Sequence, residues 1–189
     1  MPLFSNAQES RFGKAPFEPY LKEVQSLEIP KLIELHKMGR IDASIQLARE
    51  CWQADDAETA IYLLSPPAEQ GIPVAQYLLG IYLKFKNRDP EGSIRWLTAA
   101  AAGGHPIAQE TIAGYYESGR YGFPLDMEKA YQLYHLAAEQ GLKHSQMNVG
   151  MMLCAGKGVP LDKIEGSKWF LKANEGQKMP FSLKQGGCE

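Results

Sequence analysis

AGKGVPLD, residues 155–162, sets a lysine between two glycines and follows them with a proline and an aspartate. A Walker-type phosphate loop needs GxxxxGK followed by Ser or Thr, between a strand and a helix, so that consecutive amides face the phosphates. This stretch lacks that spacing and the hydroxyl residue, and the segment before it, MNVGMMLC, reads as helix. Its counterpart SGRYGFPLD, residues 118–126, repeats the Gly, Gly, Pro and Asp with one residue inserted. A turn tolerates an insertion and a phosphate cradle does not. The stretch is therefore a turn between two helices: Asp162 starts the second helix, and Lys157 is an exposed residue on the turn.

The surrounding sequence repeats in step with the turn. A small residue opens each unit at Ala75, Ala108 and Ser145, and a large apolar residue follows four positions later at Leu79, Ile112 and Val149. Gly80, Ala113 and Gly150 come directly after. In the second half of each unit, Asp89, Asp126 and Asp162 stand seven positions before Trp96, Leu133 and Trp169, and Ala100, Ala137 and Ala173 follow four later. A fainter copy precedes these, with Ala43, Leu47, Ala48 and Cys51, then Asp56, Leu63 and Ala68; its closing Gly71 matches Gly104 and Gly141. The fourth copy places its glycine, Gly176, one residue early. Openers 32, 33 and 37 residues apart, with apolar spacings of three and four, indicate a two-helix repeat. Each aspartate is placed to cap its second helix.

This pattern resembles the Sel-1-like repeat family, relatives of the tetratricopeptide repeats. GKGVPLD (156–162) and DMEKAYQLYHLAAEQG (126–141) carry the resemblance most clearly. It implies an all-α fold, a right-handed α/α superhelix of helix-turn-helix repeats whose concave face holds a protein or peptide. The expected organisation is a mobile segment over 1–18, capping helices over 19–41, four repeats (42–71, 72–104, 105–141, 142–177) and a tail over 178–189. The helical cap is read from LKEVQSL (21–27) and from KLIELHKMG (31–39), Phe181 and Leu183 are the tail's candidate anchors, and the last four residues are expected to be disordered. Two departures carry structural expectations. Pro66-Pro67 should interrupt the first repeat's second helix near Ser65, and KFKNRDP (84–90), which has lost the central glycines, should make a shorter, more polar loop.

If the superhelix follows its relatives, positions two, three, six and seven after each opener face the concave side. These are Ile45, Gln46, Arg49 and Glu50; Tyr77, Leu78, Ile81 and Tyr82; Glu110, Thr111, Gly114 and Tyr115; Met147, Asn148, Met151 and Met152. Arg49, Glu50, Tyr77, Tyr82, Glu110, Tyr115, Met151 and Met152 are the candidate partner-binding residues, because tyrosine buries area at low entropic cost and methionine adapts to irregular surfaces. The formal charge alternates along the array, −5, +2, −3 and +2 over the four repeats, which reads either as attraction between neighbouring repeats and ordinary variation of solvated faces or as an acidic first repeat that receives a basic partner surface.

The remaining composition narrows the function class. A net charge of −2 in 189 residues opposes nucleic-acid binding, and no apolar run reaches the roughly 18 residues needed to span a bilayer. Cys51, Cys154 and Cys188 are odd in number and far apart, which suits a reducing compartment. With no signal-peptide pattern at the N-terminus, a cytoplasmic location is expected, or a periplasmic one if a leader has been removed. His36, His105, His135 and His144 form no metal-ligand cluster with the cysteines, and no cofactor motif is present. His105 and His144 fall in loops, where exposure is ordinary; His135 is a surface or half-buried helix residue. The reading is a non-enzymatic interaction scaffold, either an adaptor or an immunity protein that neutralises a toxin; its partner would then be a toxin, or a signalling or secretion component. The enzymatic alternative is a hydrolase of a cell-wall or β-lactam-like ligand, but GxSxG is absent.

Overall fold

A computed structural model describes residues 28–86, 89–174 and 188. Among them the regular structure is entirely helical: α1 (Ile29–Lys37), α2 (Ile41–Gln53), α3 (Ala57–Glu69), α4 (Pro73–Phe85), α5 (Pro90–Ala102), α6 (Pro106–Ser118), α7 (Met127–Glu139), α8 (Lys143–Ala155) and α9 (Lys163–Ala173). One helix pair, α2–α3, α4–α5, α6–α7 or α8–α9, falls in each stretch read as a repeat, with α2 beginning at Ile41, one residue ahead of the expected bound. The described residues form two compact units, one ending at His105 and the other beginning at Pro106. In each unit successive helices pack against one another.

The repeat positions are what allow this packing. The four openers, Ala43, Ala75, Ala108 and Ser145, are completely buried, and so are Ala48 and Ala113. At Gly80 the reason is direct: a Cβ would stand 2.9 Å from Leu97 Cγ and 3.1 Å from the Leu97 backbone nitrogen. Glycine there lets α4 and α5 meet almost backbone to backbone. Leu63, Leu64, Leu79 and Tyr82 build the core of the first unit, and Tyr134, Val149, Leu153 and Trp169 that of the second.

All four second helices are capped by the same device. Asp56, Asp89, Asp126 and Asp162 accept hydrogen bonds from the backbone N–H of Thr59, Gly92, Lys129 and Glu165 at 2.8–3.1 Å. Each supplies a partner to an amide that the helix itself leaves unpaired. The glycines that close the repeats, Gly71, Gly104 and Gly141, hold φ of 82°, 89° and 91°, the left-handed conformation that ends a helix at low cost.

Several sequence expectations change. α3 is not interrupted near Ser65 but continues through both prolines to Glu69. Pro66 and Pro67 fall in its last turn, so only the Tyr62 and Leu63 carbonyls lose an amide partner, while burial of Pro67 and Ala68 holds the turn in place. α4 ends at Phe85 and α5 begins at Pro90, a closer spacing of helix ends than at 119–126 and 156–162. α1 lies within the expected capping region and buries Leu32 beside α2, and its His36 Nδ1 pairs with Ser44 Oγ at 2.8 Å. The mobile segment over 1–18, the helix over 21–27, Gly176 and the Phe181 and Leu183 anchors lie outside the described residues.

The largest correction concerns the cysteines. Cys154 and Cys188 form a disulfide, with Cα atoms 5.3 Å apart, and Cys188 is buried. The chain returns to α8 and α9 at Cys188, a contact between residues 34 positions apart that cysteine spacing alone does not reveal. Of the last four residues, expected to be disordered, Cys188 is placed and buried and the other three lie outside the described residues; with a disulfide formed, the argument for a reducing compartment loses its basis. Cys51 is the free thiol among the described residues.

Candidate partner-binding faces

The first helix of each repeat shows which candidate residues have accessible surface. Position seven lies almost two full turns beyond the opener, on the opener's own side of the helix. Tyr82, Tyr115 and Met152 accordingly are buried, at 5%, 8% and 4% exposure, and belong to the packing rather than to a contact surface. Glu50, the fourth of this set, remains half-buried. Positions two and six point the other way. Tyr77, Arg49, Ile81, Glu110 and Gly114 are half-buried there, Met147 and Met151 are exposed, and Ile45 alone of these eight is buried.

In the first unit the accessible group surrounds Arg49. Tyr77 stacks on His105, ring centroids 4.2 Å apart and 16° from parallel. His105 is not an exposed loop residue: it is 4% exposed, and desolvation followed by the nearby Arg49 charge lowers its pKa to about 3. The same Arg49 charge acts on Tyr82, whose phenol burial pushes above its ordinary range. Tyr82 in turn lies flat on Trp52, centroids 4.0 Å apart, and Lys86 spans from Trp52 to Asp55, its Nζ 2.7 Å from Oδ1. Arg49, Tyr77, His105 and Tyr82 are thus brought together.

Gln46 adds an unsatisfied group on the same helix as Arg49. It is 7% exposed, and its Nε2 donates to Glu50 Oε1 at 2.7 Å. A carboxylate only accepts, so this bond fixes which end of the amide faces Glu50. Gln46 Oε1 is then buried without a hydrogen-bond partner. Such an acceptor costs about 1–3 kcal/mol when nothing bonds to it.

In the second unit Glu110 has a structural role that the sequence did not show. Its Oε1 pairs with His144 Nδ1 at 2.9 Å, and its Oε2 accepts from Ser145 Oγ at 2.6 Å. This clasp joins α6 to the start of α8. His144 lies inside α8 rather than in a loop, although it is exposed as expected, and His135 is half-buried on α7. Serine, histidine and carboxylate meet here, but in the wrong order for nucleophilic catalysis: the carboxylate, not the imidazole, bonds the serine, and Ser145 is completely buried. Of the candidate residues in this unit, Met147 and Met151, one turn apart on α8, are exposed.

Among the described residues no group of three His, Cys, Asp or Glu could hold a metal ion, and no helix is long and apolar enough to cross a membrane. Lys157 is exposed on its turn, as its place in the repeat requires.

Comparison with known proteins agrees with the repeat geometry. A Sel1 repeat protein from Oxalobacter formigenes superposes with a TM-score of 0.75 at 28% identity, over 83% of this chain and 47% of that one. A protective antigen of uropathogenic Escherichia coli strains with an SLR fold gives 0.71 at 28%, over 79% of this chain and 33% of the other. In sequence, an uncharacterized protein of Neisseria meningitidis serogroup B is 37% identical over 57% of this chain, and chitin synthase regulatory factor 3 of Schizosaccharomyces pombe is 35% identical over 51%. The chain spans only 22% and 10% of those two relatives. Residues 73–105, 107–142 and 143–177 match the Sel1 repeat, while α2 and α3 supply a helix pair ahead of the matched region. With matched repeats over more than half its length, capped and packed alike, the chain belongs to the Sel1 repeat family, a helical-repeat fold for protein interaction.

Proposed function

We propose that the chain is a binding module that takes an extended peptide segment of a partner protein on the first-helix face of its first unit. The observation that carries this reading is the set of half-buried, still accessible side chains on the first helices of that unit, Arg49 and Glu50 on α2 and Tyr77 and Ile81 on α4. Tyr77 offers a flat, half-buried ring at a position two residues past its opener. The net charge of −5 over residues 42–71 favours basic side chains in the partner. The exposed Met147 and Met151 give the second unit a separate apolar contact. An adaptor and an immunity-type inhibitor both use such a surface. The regulatory role named in the fission-yeast relative supports an adaptor.

The reading is tested by selecting basic peptides on the immobilised full chain and measuring their affinity by fluorescence polarisation. Glu50→Gln removes the charge of a half-buried carboxylate on this face and should weaken the selected basic peptides about tenfold. Tyr77→Ala should weaken them by a similar factor. If both variants bind as tightly as the parent, the face is not the binding surface.

A further inference from the structure

Two of the positions at which the last repeat differs from the others meet at the disulfide. Nine residues past the opener the other repeats carry Trp52, Lys84 and Glu117; the last has Cys154. Four residues past the capping aspartate the others carry Ala60, Ser93 and Ala130; the last has Gly166. A Cβ on Gly166 would stand 2.6 Å from Cys154 Sγ and 3.2 Å from Cys188 Sγ. The missing methyl group is the space that the two sulfurs occupy. Cys188 Sγ also lies 3.3 Å from the Lys163 carbonyl and 3.6 Å from Ser167 Oγ, so the first turn of α9 surrounds it.

We propose that Cys154 and Cys188 are a redox-dependent clasp that fastens the chain beyond the repeats onto the α8–α9 pair, and that the protein works where this bond persists. The bond closes by exchange with a small or protein disulfide. One cysteine thiolate attacks a donor sulfur, the donor S–S bond breaks, and one donor thiolate leaves. The second cysteine thiolate attacks the mixed disulfide, forms the Cys154–Cys188 bond and releases the other donor thiolate. The donor gains two electrons, and its thiolates take up the two protons that the cysteines lose. Cys51 is a poor competitor: burial, then the charges of Asp56 and Glu50, raise its thiol pKa and keep it protonated. Disulfides of this kind persist in oxidising compartments and are rare in a reducing cytoplasm.

The test uses the full chain. After incubation in an oxidising glutathione buffer, acid quenching and maleimide tagging, Cys51 should be the one tagged cysteine, and prior reduction should expose all three. Hydrogen exchange supplies the second readout. Reduction should speed exchange in α8 and α9 roughly tenfold or more, with α2–α5 unchanged, and Cys188→Ala should exchange at the fast rate with or without reductant. Three tagged cysteines after oxidation, a bond involving Cys51, or equal exchange in the oxidised and reduced chains would each overturn the proposal.

Discussion

Tyr77 and His105 stack with their rings 4.2 Å apart, in a place where protonating the imidazole is costly. Burial and the Arg49 charge hold the folded-state pKa of His105 near 3, against an unfolded value of about 6.5. Below the unfolded value the unfolded chain binds a proton that the folded chain refuses. Stability from this group is therefore present above about pH 6.5 and lost progressively as pH falls toward 3. Between pH 7 and pH 5 the loss comes to about 2 kcal/mol. The other matched repeats carry Ile72 and Leu142 at the same place, three residues before the opener. His105→Leu should abolish this pH dependence and keep the first unit folded at neutral pH, which urea titrations at the two pH values will show.

A second prediction concerns the Trp52–Tyr82 pair, whose planes are 3° from parallel. The stack joins α2 to α4, so it secures one repeat to the next inside the first unit. Tyr82→Ala should cost about 3–5 kcal/mol, as a large aromatic removed from a packed core does. Tyr82→Phe keeps both rings and should cost no more than about 1 kcal/mol. Because burial raises the Tyr82 phenol above its ordinary range, alkali favours the unfolded chain. Stability should begin to fall above about pH 10 and continue falling as pH rises toward the folded value. Denaturant midpoints of the two variants, and of the parent at neutral and alkaline pH, check all three statements.

The four capping aspartates allow a comparison within one molecule. Asp126→Ala removes the acceptor of the Lys129 N–H and should cost about 1 kcal/mol; Asp126→Asn keeps a side-chain oxygen and should cost much less. The carboxyl of Asp126 is held below its ordinary range chiefly by the Lys129 amide. The cap is therefore strongest above the unfolded carboxylate pKa and weakens as pH falls through the folded value. Thermal melts of the two variants at pH 7 separate the oxygen's contribution from that of the charge.

These contrasts follow from what was legible in the sequence. Ala43, Ala108 and the capping aspartates could be read because their work is local: a small residue at a helix contact and an oxygen at a helix start recur with the repeat. The accessible face could be read only in part. Tyr77 is half-buried and Met151 exposed, whereas Tyr82, Tyr115 and Met152 share the opener's side and turn inward. Glu110 reveals its role only when folding brings His144 and Ser145 to it, and Cys154 only when the chain returns at Cys188. His105 was detectable in principle, since its position holds Ile72 and Leu142 in the other two matched repeats, although the first repeat has Arg40 there.

The turn at 156–162 gives the sharpest test of scaffold against chemistry. Gly158 holds φ at +70°, and a Cβ on it would lie 2.0 Å from the Met127 carbonyl oxygen, so the turn rests directly on the first residue of α7. Its counterpart Gly122 holds φ at +82° with nothing within 4 Å. The two glycines thus share a backbone conformation but differ in their surroundings. Gly122→Ala should cost only the left-handed strain, about 1 kcal/mol. Gly158→Ala adds a collision with backbone that cannot swing aside, so its cost should exceed that of Gly122→Ala by about 1–3 kcal/mol. Lys157→Ala, on the exposed crest of the same turn, should leave stability and peptide binding within experimental scatter. Denaturant titrations of the three variants decide the matter: equal costs at the two glycines would mean that the turn does not seat on α7, and lost binding in Lys157→Ala would give this loop a role beyond connecting two helices.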